Sequence, residues 1–526
     1  MLVLTNAKIY TLWKDQPQVE AVAIDQGRFV AVGKSADVTS LTRPGDTIRD
    51  MADRTIWPGL TDSHIHLQHY AFFLRMIDCE TPTREECLRR VAESAQKTRP
   101  GAWIRGHGWN QNAWPEGFGN AALLDQLAPH NPVYLTAKSL HAAWANTAAL
   151  QAAGISRQTP DPKDGTIQRD EQGNLTGILF ESAMELLENA IPAATAADIR
   201  QAIENAQATL WRMGLTGVHD FDPRTCFLAL QEMEQSGSLH LRVVKGIPHE
   251  ELIHAVGLGI KTGFGSDLLR IGSVKIFADG ALGPQTAAML QPYQGSNDTG
   301  MLFLDSEQIF EIGQKAAETG ISLAIHAIGD RANHEVLLAF EQLRRFESDQ
   351  QKPHLRHRIE HVQILHPDHL NRLAALGVIA SMQPIHATSD YPMADRYWGE
   401  RSRSAYALRD LLDRNTYMTF GSDAPVESPN PFWGLHAAVT RRRQDGTPGQ
   451  DGWYPHQKLT LQQALEGYTT GPAYAAGQED QLGRIAPGYL ADLLVLEKDP
   501  FSLDVDQLFM VQPAATMVAG QFVWEK

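Results

Sequence analysis

The sequence predicts a (β/α)8 TIM barrel with a small β-sandwich built from both chain ends and a large insertion after the first barrel strand. Three observations predict it. Strand-like apolar runs alternate with helix-like stretches eight times through the middle of the chain. Both ends read as short strands joined by two-residue turns. The stretch from residue 68 to about residue 210 interrupts the alternation after its first strand.

The amino-terminal strands come first. "LVLTNAKIYTL" precedes "AVAIDQGRFVAVG", a strand pair hinged at Gln26-Gly27. At the other end "YLADLLVLEKD" precedes "ATMVAGQFVWEK", which turns at Ala519-Gly520. Residues 1–57 and 474–526 are therefore assigned to the sandwich, and 58–473 to the barrel, with an insertion at about 68–210. The barrel strands are read from "TIWPGLTDSHIH", "LTGVHDF", "LRVVKGI", "LLRIGSVKIFAD", "GISLAIHAIG", "LRHRIEHVQI", "LGVIASMQP" and "NTYMTFGSDAP". Amphipathic stretches such as "SEQIFEIGQKAAETG" and "DRANHEVLLAFEQLRRF" lie between them, and glycines such as Gly214 and Gly377 stop helices before the next strand. The insertion contributes strands of its own at "AWIRGHGW" and "PVYLTAKS".

Composition narrows the function classes. A chain of 526 residues with 43% hydrophobic and 21% charged residues has ample material for a core. Its formal net charge of −16 argues against nucleic acid, because nothing would neutralise the phosphates. Cys79, Cys87 and Cys226 show no paired spacing, which suits a reducing compartment. The amino terminus lacks a basic segment followed by a long apolar one, and no apolar run reaches the roughly 20 residues of a membrane span. A cytoplasmic enzyme acting on a small molecule is expected, with a homodimer as the default assembly.

The chemistry sits at strand ends. In "LTDSHIHLQHY", His64 and His66 alternate along a strand and so share one face. Lys275 ends the fourth strand, His326 the fifth, His361 the sixth and Asp423 the eighth. Carboxyl-terminal strand ends are where barrel active sites are built, and six such side chains converging there describe a metal centre. An ammonium cannot ligate a cation. Lys275 would serve only as a neutral amine or as a carbamate formed with carbon dioxide, and burial near positive charge favours loss of its proton.

The strings "PGLTDSHIHL", "SVKIFADGALG", "HAIGD", "IEHVQ", "GSDAPVESPNPFWGL" and "GRIAPGYLADLLVL" resemble the amidohydrolase superfamily. They are most similar to its amidohydrolase-3 branch of YtcJ-like metal-dependent hydrolases and N-substituted formamide deformylases. The resemblance runs nearly end to end. It implies two divalent metal ions, with His64, His66 and Asp423 on the first, His326 and His361 on the second, and carboxylated Lys275 bridging them. Imidazole and carboxylate ligands suit zinc, with manganese and iron as alternatives. It further implies hydrolysis of an amide or N-formyl C–N bond by metal-activated hydroxide, with Asp423 as general base and then general acid.

Other readings stay in play. A mononuclear deaminase of a heterocyclic amine would use the same barrel, although "HAIGD" places Asp330 at an unusual spacing for its acid and leaves Lys275 unexplained. A barrel kept only as an assembly scaffold has no reason to retain all six side chains. Substrate contacts are expected from His107, Trp109 and His141 of the insertion, from His219 at the second strand end, and from Tyr391 and Trp398 in a long loop after the seventh strand. The aromatic-rich insertion suggests a hydrophobic substrate.

Overall fold

Eight parallel strands form the central sheet, in chain order: Leu60–Ile65, Leu215–Asp220, Arg242–Pro248, Leu269–Phe277, Leu323–Ala327, Arg358–His361, Ile379–Met382 and Met418–Phe420. The sheet closes between its first and last members. Ile65 bridges Ala424 in parallel, Asp423 N donates to His64 O at 2.7 Å, and His66 N donates to Ala424 O at 2.9 Å. This is the (β/α)8 barrel expected from the alternating pattern. The computed structural model describes residues 1–139 and 141–526, in two bodies: Met1–Tyr70 with Ile199–Lys526, and Ala71–Asp198.

Helices flank the strands for legible reasons. Ser306–Thr319 begins at a reciprocal capping box between Asp305 and Gln308 and ends at Gly320, whose φ of 89° lets the chain turn off the helix axis. Its buried face (Ile309, Gly313, Ala316, Ala317) recurs at helical spacing. The helix Asp330–Asp349 follows the fifth strand, starting after Gly329 without a side-chain cap and burying Val336, Leu337, Phe340 and Leu343.

Two further sheets are built from the chain ends, the first wholly from the amino-terminal segment and the second from both ends. One pairs Leu2–Thr5 with Ala21–Asp25, Arg28–Gly33 and Thr47–Asp50. The other pairs Lys8–Tyr10, Gln18–Val19 and Thr55–Pro58 with Leu493–Leu496, Pro513–Val518 and Gln521–Glu525. Leu4, Val22 and Phe29 of the first sheet share a buried cluster with Ile9, Ile56, Leu493, Val495 and Met517 of the second. Thus "TIWP" is a strand of this outer sheet and not the start of the first barrel strand. Both two-residue turns have positive φ throughout: Gln26 46° and Gly27 76°, Ala519 49° and Gly520 78°. Such turns match the twist of the strands they join. The two turns also touch, since a Cβ on Gly27 would lie 3.0 Å from Ala519 O. Arg242 on the third barrel strand ties in from below. It donates through Nε and Nη2 to Asp492 at 2.5 and 2.8 Å, and Asp492 also accepts from Ala519 N at 2.8 Å.

The second body is built on a six-stranded sheet. Ile77–Asp78, Ile104–Trp109 and Val133–Ala137 run parallel, and Ala142–Ala145, Leu175–Glu181 and Gly165–Arg169 continue it antiparallel. It is shorter than the 68–210 stretch expected, and it carries four strands more than the sequence suggested. Its tryptophans fill its own core. Trp109, Trp114 and Trp144 pack in one buried cluster, and their indole N–H groups donate to the carbonyls of Leu135, Thr81 and Asn120.

The segment after the seventh strand is not a solvated loop. Pro384–Trp398 is a helix that starts on a proline and buries Ile385, His386, Ala387, Thr388, Ala394 and Trp398. Its aromatic residues pack inward, with Trp398 against Leu282, Tyr293 and Ile364 in a buried cluster. No helix among the described residues is long and apolar enough to cross a membrane.

Candidate metal centre

The open end of the barrel brings His64, His66 and Asp423 together. The Nε2 atoms of both histidines lie 3.4 Å from Asp423 Oδ1. The strand alternation that aims both imidazoles one way is preserved by Gly421. A Cβ there would lie 2.5 Å from His64 N and 2.7 Å from Asp62 Oδ1. Asp62 sits behind the pair and is buried, accepting hydrogen bonds from His64 N, Ser422 N and Ser422 Oγ. Its role is to fix the backbone of the first and eighth strands where they meet.

The other expected ligands converge on the same place. The His361 ring centre lies 4.8 Å from that of His64 and 4.6 Å from that of His326. Lys275 Nζ lies 3.3 Å from His64 Nε2 and between the rings of Phe221 and Phe277. It forms no ion pair with Asp423 or Asp279 among the described residues. Burial pushes the Lys275 amine down to about 8. Asp423 and His361 hold left-handed φ values of 60° and 75°. Strain of that kind persists where surrounding structure over-determines it, typically at functional sites.

The donor chemistry fits a divalent cation. Each of the four imidazoles has one nitrogen facing an oxygen acceptor outside the ligand set, and for His64 and His66 the other nitrogen faces Asp423. His64 Nδ1 faces Glu360 Oε2 at 2.6 Å, His66 Nδ1 faces Asp222 Oδ1 at 3.3 Å, His361 Nδ1 faces Gln383 Oε1 at 2.9 Å, and His326 Nε2 faces Gly280 O at 2.9 Å. That is how metal-binding histidines are oriented, with an acceptor fixing the tautomer so that the second nitrogen keeps its lone pair. Burial holds the His64 and His326 imidazoles down at about 4, hence neutral and able to ligate. Burial also opposes ionisation of Asp423, but His64 and His66 outweigh it and hold the carboxyl well below the usual range.

Several of these supporting side chains were missed by sequence reasoning. Glu360 is fully buried and is gripped by Arg358, which also donates to Ser63 O at 2.6 Å and Ser381 Oγ at 2.7 Å. The signal was "RIEH", where two charged residues alternate inside a central strand. Asp222 binds His66 and His69 and accepts from the backbone of Gln68 and His69. Asp279 accepts from Ala288 N, Ile328 N and Gly329 N at 2.8 to 3.0 Å, fixing the turn beyond His326.

The substrate candidates separate. His219 does not face the mouth. It is buried inside the barrel, where Arg358 Nη1 donates to its Nδ1 at 2.9 Å. Trp398 is closed off in its helix cluster, and Tyr391 packs at the edge of the same cluster. Within the second body, Trp109 is a core residue, His107 Nδ1 meets Thr136 Oγ1 at 2.9 Å, and exposed His141 pairs with Glu181 at 3.0 Å. Asp330, the acid a deaminase would need, accepts from Leu290 N at 2.7 Å. A cavity of ≈ 480 Å³ opens beside His66 and Lys275, walled by Phe221, Phe277, Phe303 and Leu304, with His69, Asp222, His249 and Glu250 at its polar side.

A closed parallel barrel that gathers histidines and an aspartate at its strand ends defines a hydrolase class. The chain belongs to the amidohydrolase family, which it matches over residues 47–524. It is 32% identical over 530 residues to YtcJ of Bacillus subtilis (strain 168), covering 98% of each chain. It is 30% identical over 543 residues to the N-substituted formamide deformylase of Arthrobacter pascens, covering 100% of this chain and 98% of that one. An uncharacterized metal-dependent hydrolase from Pyrococcus furiosus superposes with a TM-score of 0.80 at 29% identity, over 95% of this chain and 100% of that one.

Proposed function

We propose that this enzyme hydrolyses a carbon–nitrogen bond of amide or N-formyl type in a small molecule with an apolar body. The observation that carries the reading is the set of oriented imidazoles around Asp423, opening beside a cavity walled by Phe221, Phe277 and Phe303. The formamide deformylase relative supports the N-formyl option. The apolar part now rests on those phenylalanines, because the insertion's tryptophans serve its own core.

His64, His66 and Asp423 would hold one divalent cation, and His326 and His361 a second, with Lys275 as a carbamate between them. The ligand set suits zinc. When bound, the cations supply acidified water and a polarised carbonyl. The chain supplies the rest. Asp423 is ionised across the working range, so a carboxylate oxygen can take the proton of the attacking water and return it to the departing nitrogen. One water is consumed, and an acid and an amine are released. Among the described residues Lys275 is a buried amine without an ion-pair partner, a costly arrangement that capture of carbon dioxide would resolve. The phenylalanine walls orient the apolar part and exclude bulk water.

The test is a panel of N-formyl and N-acyl amines, headed by N-benzylformamide, assayed on protein of measured metal content. Formate and benzylamine should appear in equal amounts. Asp423→Asn should lower kcat by about 10²–10⁴-fold with an unchanged unfolding midpoint. Full activity in that variant refutes the role given to Asp423. Labelled bicarbonate should give a carbamate carbon signal that Lys275→Arg abolishes.

A further inference from the structure

The helix Pro384–Trp398 places one more imidazole at the centre, and nothing in the scheme above uses it. His386 lies in its first turn, is 5% exposed, and has an Nε2 atom buried without a hydrogen-bond partner among the described residues. One of its ring nitrogens lies within 4.8 Å of ligand atoms of both His361 and Asp423. Its ring is nearly parallel to that of His361, 8° off with centres 6.3 Å apart. The position is set by the backbone, since His386 N donates to Gln383 O at 3.0 Å while the Gln383 side chain holds His361.

A buried polar nitrogen left unpaired is costly and rare, so it marks a place where a partner arrives. Two partners fit an imidazole here, a cation or a substrate oxygen. The four oriented histidines discriminate between them. Each has its second nitrogen held by an acceptor, as ligands require. No such bond fixes the tautomer of His386 among the described residues. It is built as an uncommitted donor, not as a ligand.

We propose that His386 donates a hydrogen bond from Nε2 to the oxyanion that forms on the scissile carbonyl. This rests on the C–N hydrolysis proposed above. Water adds to the carbonyl carbon, the C=O π pair moves onto oxygen, and the water's proton goes to Asp423. His386 keeps its own proton and only hydrogen-bonds the new negative charge. Collapse re-forms the carbonyl and breaks the C–N bond, and the nitrogen leaves with the proton from Asp423.

The experiment compares metal-loaded wild type, His386→Ala and His386→Gln, the last keeping an N–H donor. It reads metal per chain, the Kd of methylphosphonate as a tetrahedral oxyanion probe, and turnover of N-benzylformamide. The expected result is unchanged metal content and methylphosphonate binding weakened by about 10-fold or more in His386→Ala, partly restored in His386→Gln. kcat should fall by about 100-fold with little change in KM. Loss of metal from His386→Ala overturns the proposal in favour of a ligand role. Unchanged methylphosphonate affinity, or no binding by wild type, also overturns it. If wild type turns over no formamide or amide, the hydrolysis reading falls, while the methylphosphonate comparison still decides the role of His386. Should His386→Ala not fold, His386→Asn replaces it in every measurement.

Discussion

Replacing Glu360 with glutamine keeps the shape of a fully buried side chain and removes its charge. Three donors converge on the native carboxylate: His64 Nδ1 at 2.6 Å, Arg358 Nη2 at 2.9 Å and Arg358 Nε. A glutamine has one acceptor oxygen and turns an amide N–H toward either the imidazole or the guanidinium. Arg358 then stays buried without its counter-charge, which costs about 3–5 kcal/mol. His64 loses the acceptor that fixes its tautomer, which costs about 10–100-fold in metal affinity. Urea unfolding of metal-free protein reads the first effect, and chelator competition reads the second. Arg358→Met in the same chain removes the stranded charge, so the double variant should recover stability but not metal affinity. A Glu360→Gln protein within about 1 kcal/mol of wild type, with native metal affinity, refutes the reasoning.

His66 makes metal binding pH-dependent. Burial disfavours its charged form, but Asp222 and Asp423 outweigh burial and raise it to about 9. In metal-free protein its stabilising contribution is complete below about 6.5 and is lost as pH rises through about 9. A cation must displace that proton, so apparent affinity should climb to about pH 9 and then level, and a flat chelator titration over that span contradicts this. Gly421→Ala should push the His64 backbone out of place and lower metal affinity by about 10-fold or more, measured the same way. Asp492→Ala strands Arg242 beneath the paired turns and should cost about 3–5 kcal/mol in urea unfolding.

The barrel strands were legible because they are short, largely apolar runs, five of them with a coordinating residue at or near the carboxyl-terminal end, and register within a strand needs no knowledge of its neighbours. His64, His66, His326, His361 and Asp423 could be placed at strand ends for that reason. What holds them could not, because Glu360, Asp222 and Gln383 act on residues 22 to 296 positions away. His219 was misplaced by a single layer. It is on the right strand, but Arg358 of the sixth strand claims it inside the barrel. The helix after the seventh strand was hidden by its polar and aromatic composition and by Pro392 in its interior. The insertion's tryptophans read as a binding wall because composition alone does not tell a pocket from a core.

The outer sheet begun by Lys8–Tyr10 and Thr55–Pro58 is finished by strands starting at Leu493, roughly 430 residues later. At a synthesis rate of about 5–20 residues per second, its early strands wait about 20–90 s for their partners. During that interval Ile9 and Ile56 lack the part of their cluster supplied by Leu493, Val495 and Met517, and an open strand edge faces the cell's other nascent chains. Ribosome-bound intermediates of this protein should therefore be clients for holding chaperones until the final hairpin emerges.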